Sequence, residues 1–238
     1  IYTRRGGKQD SRRETFRPFV AGEKEVLKNC PGCTEIEELA GPGRINAIAF
    51  FRTWKDCLKG KQRLSGADGA GANGAASAYH FVSDPVQQHL SLSGRTLFKG
   101  MRFHDLRRMQ IDIETLTTEG FEFCNAERPG DSIAAIGLAN ESGWTEVLSC
   151  DRMGEKALLE KLVSIIRERD PDVIEGHNIF NFDLPYIAER AKRNKVRLLI
   201  GRDGSAPVRR QSRFSAAERT LAYERFDIAG RHVDKKTF

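Results

Sequence analysis

Residues 107–116 read Arg-Arg-Met-Gln-Ile-Asp-Ile-Glu-Thr-Leu, and they decide how the second half of the chain is interpreted. Apolar and polar side chains alternate along this stretch, which is typical of a β-strand. Alternate side chains of a strand point to the same face, so Asp112 and Glu114 should emerge together, about 7 Å apart. Two neighbouring carboxylates repel each other unless a cation neutralises them, and Mg²⁺ or Mn²⁺ suits oxygen ligands of this kind. A solvated edge strand is the alternative, because a single Asp-x-Glu is a weak motif in a chain with 33 acidic residues.

The segments that follow predict an α/β fold. Hydrophobic periodicity favours three strands, a helix, a fourth strand and a second helix. The predicted segments are 108–116, 133–138, 144–148, 155–169, 172–175 and 184–194. Gly143 favours an antiparallel turn between the second and third strands, and Pro171 ends the first helix. Strands and helices in this order predict a mixed sheet with a crossover connection and flanking helices.

The residues before a boundary placed near 104 predict a smaller α+β domain, so the domains are assigned as 1–104 and 105–238. Short strands and helices alternate with turns there, and Asp84 is placed to cap a helix that begins at Pro85. Residues 65–78 are rich in Gly, Ala and Ser and predict a mobile surface loop. The residues do not indicate the function of this domain, and docking and contact with nucleic acid are the two candidates.

The net charge of +6 and the isoelectric point near 9.1 favour a polyanionic partner. The excess is concentrated in residues 190–238, where Lys and Arg greatly outnumber Asp and Glu. A basic region beside paired carboxylates suits phosphodiester chemistry, and a solvated face is the alternative. The composition is that of a soluble globular protein, without an apolar run long enough to span a membrane or a secretory signal. We therefore expect an intracellular, cytoplasmic protein with no membrane partner, and the start at Ile1 suggests a piece of a longer chain.

The five cysteines include the pair Cys30-Pro31-Gly32-Cys33. A zinc site would need about four ligands, and no second pair of Cys or His residues follows at metal-binding spacing. A redox motif would follow a strand and open a helix, whereas this one lies between charged, turn-like segments. We interpret the pair as an incidental loop and expect reduced thiols.

A third acidic residue lies at the predicted start of the second helix, in the segment Asn178-Ile179-Phe180-Asn181-Phe182-Asp183. The positive end of a helix dipole and its free backbone N–H groups favour a carboxylate at this place. An ordinary helix N-cap is therefore a strong alternative to a metal-binding role for Asp183.

Taken together, these segments resemble a known family. Asp112-Ile113-Glu114-Thr115 is similar to the first exonuclease motif of family B DNA polymerases, and Asn178-x-x-x-Phe182-Asp183 is similar to the second. The flanking residues agree, with Phe98-Lys99-Gly100-Met101 upstream, Leu-Pro-Tyr-Ile after Asp183 and Gly230-Arg231 near the end. The likeness covers roughly residues 80–238 well and 14–63 more loosely, as that family's N-terminal domain. Bacterial and archaeal members are the more similar ones.

The resemblance implies an RNase H-like fold with a site that removes nucleotides from the 3′ end of DNA, the proofreading activity. In that family the residues matching Asp112, Glu114 and Asp183 are catalytic and hold two divalent ions, Mg²⁺ or Mn²⁺. Substrate contacts are implied for Thr115, Leu116, Asn178 and Phe182, although Phe182 could instead anchor the turn. The implied partners are a single-stranded DNA 3′ end and the rest of a parent polymerase, which implies a nucleoid-associated location.

The sequence departs from the family pattern near its end. Tyr223 and Asp227 satisfy the letters of the third exonuclease motif, Tyr-x-x-x-Asp, but they precede Gly230-Arg231, whereas the family's motif follows it. We therefore assign Tyr223 and Asp227 to a strand or hairpin, interpret Asp234 as structural and expect the third motif beyond Phe238. Polymerase motifs are absent. A non-catalytic nucleic-acid-binding module that retains the fold, or a free-standing nuclease acting on DNA or RNA, are the alternative functions.

Overall fold

The structure is a computed structural model that describes residues 2–5, 8–67, 78–96, 99–216 and 219–235. The chain divides into two compact units, residues 1–100 and 101–238. This division lies close to the boundary placed near residue 104, and the functions assigned to the two domains stay predictions. Within the described ranges, no helix is both long and apolar enough to cross a lipid bilayer.

The described residues of the first unit form a β-hairpin, a four-stranded antiparallel sheet and three helices. Its elements are β1 (Tyr2–Arg5), β2 (Lys8–Ser11), β3 (Phe19–Gly22), α1 (Lys24–Leu27), β4 (Cys33–Glu38), β5 (Ala47–Phe51), α2 (Trp54–Ala67), β6 (Tyr79–His80) and α3 (Pro85–Ser93). Strands β1 and β2 form the hairpin, and the sheet has the order β4-β5-β3-β6. This mixture of helices and strands confirms the predicted α+β class of the N-terminal part.

Two local predictions in this unit have different outcomes. The Asp84 carboxylate caps α3 as predicted, because it accepts hydrogen bonds from the N–H groups of Val86 and Gln87 at 2.7 and 3.1 Å. The loop predicted over 65–78 is wrong at its start, because α2 continues to Ala67. Leu64 is buried in the core of the unit and keeps the last turn of α2 against it. Residues 68–77 lie outside the described residues.

Cys30 lies in the turn after α1, and Cys33 is the first residue of β4. Between them Gly32 has a φ of +79°, which favours glycine. Cys30 and Cys57 are buried in the core of the first unit, and all five cysteines have free thiols. Burial raises the pKa of Cys30 to about 11 and that of Cys57 to about 12. A buried, protonated thiol is a poor nucleophile, which fits an incidental turn better than a redox motif.

The second unit is built on a five-stranded mixed sheet. Its elements are a 3₁₀ turn (Phe103–Asp105), β7 (Arg108–Thr115), β8 (Ile133–Asn140), β9 (Thr145–Ser149), α4 (Cys150–Met153), α5 (Glu155–Arg169), β10 (Val173–Gly176), α6 (Asp183–Arg193), β11 (Val208–Ala216), β12 (Arg219–Asp227) and β13 (His232–Lys235). The strand order is β13-β10-β7-β8-β9, with β13, β10 and β7 parallel and β8 antiparallel to both of its neighbours. This arrangement confirms the predicted α/β, RNase H-like sheet with flanking helices.

The hydrophobic pattern explains why these elements pack as they do. Helix α5 has the predicted bounds, and its apolar stripe is buried, comprising Leu158, Leu159, Leu162, Ile165 and Ile166. The stripe packs in the same core as the apolar residues of β7, β8 and α6. Gly143, with a φ of +85°, makes the predicted turn between β8 and β9. The buried apolar side chains of β7 lie in this core together with those of α5 and α6, which fits the central position of β7 in the sheet.

The residues with the letters of a third motif lie in a hairpin, as predicted. Tyr223 and Asp227 belong to β12, which pairs with β11 along its whole length. The Asp227 carboxylate forms ion pairs with Arg210 and Arg225 at 2.6 and 3.2 Å. Asp234 lies on β13, an edge strand of the main sheet, and is exposed.

Part of the basic excess after residue 190 is internal to the second unit. Arg190 is 4% exposed and pairs with Glu155. The Arg202 and Arg231 side chains, 9% and 2% exposed, both pair with Asp170. These three charges are therefore not available to a polyanion, because arginines with little exposure need internal acceptors and are neutralised by them. A polyanion surface in this region stays a prediction for the remaining charges.

Candidate active site

Strand β7 presents two carboxylates on the side away from its core contacts. The alternate apolar residues of the strand are buried, so Asp112 and Glu114 emerge together on the exposed face. In the ladder with β8 they lie opposite Gly137 and Ala135. These small neighbours leave space around both carboxylates.

The other side of β7 is open at its carboxyl end. Strand β10 pairs with β7 only at residues 108–110 and ends at Gly176. Gly176 lies so close to β7 that a Cβ atom there would be 2.7 Å from the carbonyl oxygen of Ile111. The chain then turns through residues 177–182 into α6, which leaves the last residues of β7 without a strand partner on this side.

Asp183 occupies this open edge. Its Oδ1 atom accepts a hydrogen bond from the N–H group of Ile113 at 3.2 Å, and the residue is 3% exposed. A side-chain carboxylate thus replaces the strand partner that β7 lacks here. The structure brings Asp183, the most distant of the three predicted acids along the chain, against the strand that carries Asp112 and Glu114.

The interpretation of Asp183 as an ordinary helix N-cap is wrong. Helix α6 begins at Asp183 itself, and its N-cap residue is Phe182, which makes no capping hydrogen bond through its side chain. The Asp183 carboxylate reaches back to β7 because the unpaired N–H group of Ile113 needs a buried acceptor.

Burial raises the pKa of Asp183 above its ordinary range, and the negative charge of Asp112 raises it further. The hydrogen bonds that it accepts from Ile113 and from its own N–H group oppose this rise in part, as does His177. An ionised carboxylate that is both buried and near a second carboxylate is destabilised. A divalent cation would relieve both effects at once.

The residues present fit Mg²⁺ or Mn²⁺ by their chemistry, because Asp112, Glu114 and Asp183 offer only hard carboxylate oxygens. In the part of the chain that the structure describes, no three Asp, Glu, His or Cys side chains already form a metal-holding group. Asp112 and Glu114 are exposed, so their side chains can change rotamer towards an ion. The roles of these three residues as metal ligands stay predictions.

The predicted substrate-binding residues surround this edge of the sheet. Thr115 ends β7, and Leu116 after it is 51% exposed. Asn178 is exposed, and its backbone carbonyl accepts the N–H group of Phe182 at 2.9 Å. The Phe182 ring packs against the core, with its centroid 5.4 Å from that of Tyr186. Thr115, Leu116 and Asn178 are accessible to a ligand, whereas the packing of Phe182 favours its alternative role as an anchor of the turn.

The sequence interpretation missed two aromatic residues in the loop between β7 and β8, residues 116–132, named here the aromatic loop. Phe121 and Phe123 are 55% and 74% exposed. The Arg128 guanidinium lies 3.5 Å from the centroid of the Phe121 ring and donates a hydrogen bond to the Phe123 carbonyl at 3.3 Å. Exposed rings of this kind can stack on unpaired bases. A Phe-Glu-Phe sequence in a polar segment directly after the acidic strand was the available signal.

A buried aspartate fixes the aromatic loop. The Asp131 carboxylate, 0% exposed, accepts hydrogen bonds from the N–H and hydroxyl groups of Thr118, from the N–H group of Asn125 and from Arg128. Burial would raise the pKa of Asp131, but these hydrogen bonds and the Arg128 charge outweigh it and hold the pKa below its ordinary range. The loop is therefore a constrained structure at neutral pH.

Replacement of Gly176 by alanine is expected to destabilise the second unit by about 1–3 kcal/mol, because the added methyl group meets the backbone of β7. The matched control is Gly137→Ala on β8, where a Cβ atom would lie 3.9 Å from the nearest atom, the carbonyl oxygen of Asp112. Urea denaturation of both variants measures the difference. Equal stability of the two variants would contradict the close approach of Gly176 to β7.

A sequence model of the family described as "DNA polymerase family B, exonuclease domain" matches residues 86–234, which is more than half of the chain. The chain belongs to this family. The match confirms the family that the two acidic motifs indicated, and it covers the five-stranded sheet except for the last residue of β13.

Individual relatives of this family B exonuclease region are archaeal DNA polymerases. The chain is 35% identical over 155 residues to DNA polymerase 1 of Pyrococcus abyssi, covering 60% of this chain and 19% of the relative. It is 34% identical over 145 residues to the DNA polymerase of Pyrococcus glycovorans, covering 56% and 17%. The matched part is thus less than a fifth of the length of either relative.

Among solved structures, the fold is similar to that of the family B DNA polymerase from the hyperthermophilic archaeon Pyrobaculum calidifontis. The TM-score is 0.57 at 20% sequence identity, and the match covers 92% of this chain and 32% of that structure. At this identity the likeness supports the fold.

Proposed function

We propose that this chain is the 3′→5′ exonuclease portion of a family B-like DNA polymerase and hydrolyses the 3′-terminal phosphodiester bond of DNA. The observation that carries the proposal is the position of Asp183, a buried carboxylate held on the open edge of β7, close enough to Asp112 for their charges to repel. A buried carboxylate is rare in proteins unless it is paired, and one that lies near a second carboxylate is a candidate for a functional site.

Each acidic residue has a distinct part in the proposed reaction. Asp112, Glu114 and Asp183 would hold two Mg²⁺ or Mn²⁺ ions, with Asp183 fixed by its hydrogen bond to Ile113 and the other two exposed towards the substrate. Such a pair of ions, when bound, lowers the pKa of the attacking water and compensates the charge on the departing 3′ oxygen. The negative charges of Asp112 and Glu114 also repel a phosphodiester. Binding of DNA at this edge of the sheet therefore requires cations that balance these charges.

The accessible side chains around the acids suit a single-stranded end. Thr115 and Asn178 can hydrogen-bond to the terminal nucleotide, and Leu116 offers apolar surface to its base. Phe121 and Phe123 present exposed rings on which unpaired bases can stack. A frayed or mispaired end enters such a site more easily than a paired one, because a paired base first loses its stacking, at a cost of a few kcal/mol.

Replacement of Phe123 by alanine is expected to raise the KM for single-stranded DNA about 5- to 160-fold, because stacking of one base contributes about 1–3 kcal/mol. The kcat should change little, since the acidic residues are unaltered. Phe103→Ala is the control, because Phe103 is 69% exposed and its ring lies under Arg108, outside the aromatic loop. Steady-state release of a labelled 3′ nucleotide measures both constants. Equal KM values in the two variants would contradict a stacking role for Phe123.

The proposed function is tested with the full natural chain that contains this sequence. We expect release of 3′ nucleotides from single-stranded DNA in Mg²⁺ or Mn²⁺, no release in EDTA, and faster release from a mispaired than from a paired end. RNA of the same sequence should react more slowly. Absence of release with either ion would contradict the proposal and leave a non-catalytic nucleic-acid-binding module. Equal rates on RNA would leave a nuclease that does not discriminate the sugar.

The proposal has consequences for the partners, the location and the N-terminal part of the protein. The partners are a DNA 3′ end and the remaining domains of the polymerase, which is the context of the archaeal relatives. DNA as the substrate implies a nucleoid-associated, cytoplasmic location. Residues 1–104 are proposed as the N-terminal domain of the polymerase, adjoining the exonuclease domain at 105–238.

A further inference from the structure

Helix α6 carries two buried charged residues two turns apart. Asp183 lies in its first turn, and Arg190 follows seven residues later on the same face. The side chain of Arg190 is 5% exposed, and that of its partner Glu155 is 9% exposed. Arg190 donates two hydrogen bonds to this carboxylate, at 2.7 and 2.6 Å. A neutral hydrophobic pair can fill the same space at similar stability, so the ion pair alone does not account for a buried arginine at this place.

The remaining donors of Arg190 reach the aromatic loop. Its Nη1 atom lies 3.1 Å from the Ala126 carbonyl oxygen and 2.9 Å from that of Arg128, and Nη2 lies 3.4 Å from that of Pro129. One guanidinium therefore holds three backbone carbonyls of the loop as well as Glu155. Only the planar, five-donor fork of arginine can satisfy acceptors on both sides at once.

The connection continues from Arg128 to the exposed rings. The backbone of Arg128 is held by Arg190, while its side chain covers the Phe121 ring and binds the Phe123 carbonyl and Asp131. Tyr186, one turn before Arg190 on α6, donates its hydroxyl group to the Asp131 carbonyl at 2.8 Å. Helix α6 thus contacts the loop at two places, through Tyr186 and Arg190.

We propose that Arg190 is a positioning residue that sets the aromatic loop relative to Asp183, and that it acts on binding of the DNA end. This inference rests on the proposed exonuclease function. Asp183 and Arg190 belong to one rigid helix, so the hydrogen bonds of Arg190, together with that of Tyr186, tie the aromatic loop to the helix that carries Asp183. Loss of the Arg190 bonds leaves the acids in place and loosens the loop, which Tyr186 and the hydrogen bonds of Asp131 still hold in part.

The central experiment compares two Arg→Lys variants in the full natural chain. Arg190→Lys keeps a positive charge beside Glu155 and removes the fork that reaches the loop carbonyls. Arg202→Lys is the matched control, because Arg202 is also a buried fork, bonded to Asp170, Asp172 and the carbonyl groups of Pro171 and Gly230, away from the loop. We expect both variants to lower the thermal midpoint. Only Arg190→Lys should raise the KM for single-stranded DNA, about tenfold, with kcat within about twofold of the unmodified protein.

Two further variants separate the loop contacts from the ion pair. Glu155→Gln weakens the ion pair and retains the donors of Arg190 to the loop, so it should lower stability without raising KM. Tyr186→Phe removes the second contact and should raise KM about threefold in a protein that folds normally, which keeps the inference testable if Arg190→Lys does not fold. Cleavage by chymotrypsin after Phe121 and Phe123 should be faster in Arg190→Lys and Tyr186→Phe than in Arg202→Lys.

The outcomes distinguish this inference from the proposed function. Absence of nucleotide release from the unmodified protein would overturn the proposed function. With an active unmodified protein, an unchanged KM in Arg190→Lys, or in Tyr186→Phe where the lysine variant does not fold, would overturn the positioning role alone. A fall in kcat at constant KM would do the same, since it would indicate a disturbance of the acids rather than of the loop.

Discussion

Replacement of Asp112 by alanine is expected to reduce release of 3′ nucleotides by about 10³-fold or more. The proposed reaction needs a carboxylate at this place to hold the ions, and loss of one strong electrostatic contact with the reacting groups already costs about 10²–10³-fold in an enzyme site. Stability should not fall, because Asp112 is exposed and its removal relieves the repulsion of Asp183. Binding of single-stranded DNA without hydrolysis should persist through the aromatic loop. The measurements are the rate of nucleotide release, the DNA dissociation constant in EDTA and the thermal midpoint.

Asp234→Ala is the matched control for this prediction. Asp234 is an exposed aspartate on β13 of the same sheet, separated from β7 by β10, and it was assigned a structural role from its position. Its replacement should leave the rate of release within about twofold. Unfolding of Asp112→Ala, or equal loss of activity in the two variants, would show that the effect is structural and not a property of the proposed metal site.

The sheet and its helices could be predicted from the sequence because each has a clear hydrophobic period. The stripe from Leu158 to Ile166 gives α5 its bounds, and the alternation around Asp112 gives β7 its exposed face. The start of α3 could also be predicted locally, because aspartate is a favourable N-cap residue and proline is favourable at the first position of a helix. These features depend on residues close together in the chain.

The placement of Asp183 could not be derived in the same way. At its position in the sequence an N-cap and a contact with β7 look alike, and the difference depends on where β10 ends. Because β10 stops at Gly176, the N–H group of Ile113 has no strand partner, and a carboxylate 70 residues away in sequence satisfies it. The family motif indicated the residue, whereas its hydrogen bond required the tertiary structure.

The number of arginines in residues 190–238 likewise did not indicate how many of them are exposed. Arg190, Arg202 and Arg231 contribute to the net charge in the same way as exposed residues, yet their side chains are only 5%, 9% and 2% exposed and all three are paired with acidic residues. No local pattern separates them from exposed arginines, since their acceptors come from distant segments. The exposed Phe121 and Phe123, by contrast, were recognisable in the sequence as aromatic residues in a polar loop.

Replacement of Asp183 by asparagine is expected to reduce nucleotide release about 100-fold or more while stabilising the protein in the absence of metal. Asparagine retains an oxygen to accept the N–H group of Ile113 but carries no charge. The folded-state pKa of Asp183 is raised, so its ionised form destabilises the fold above that pKa, and the penalty disappears as the pH falls and the carboxylate becomes protonated. The gain from asparagine should therefore be largest at neutral pH and vanish in acid.

Urea denaturation between pH 4 and pH 8, with EDTA or with Mg²⁺, measures this prediction. Mg²⁺ should stabilise the unmodified protein more than Asp183→Asn, because an ion that binds only the folded state adds to stability. Asp183→Ala is the control, since it removes the charge and the acceptor together and leaves the buried N–H group of Ile113 unsatisfied, which costs about 1–3 kcal/mol. Lower stability of the asparagine variant at neutral pH in EDTA would show that the Asp183 charge stabilises the fold, and would remove the electrostatic reason for a cation at this edge of the sheet.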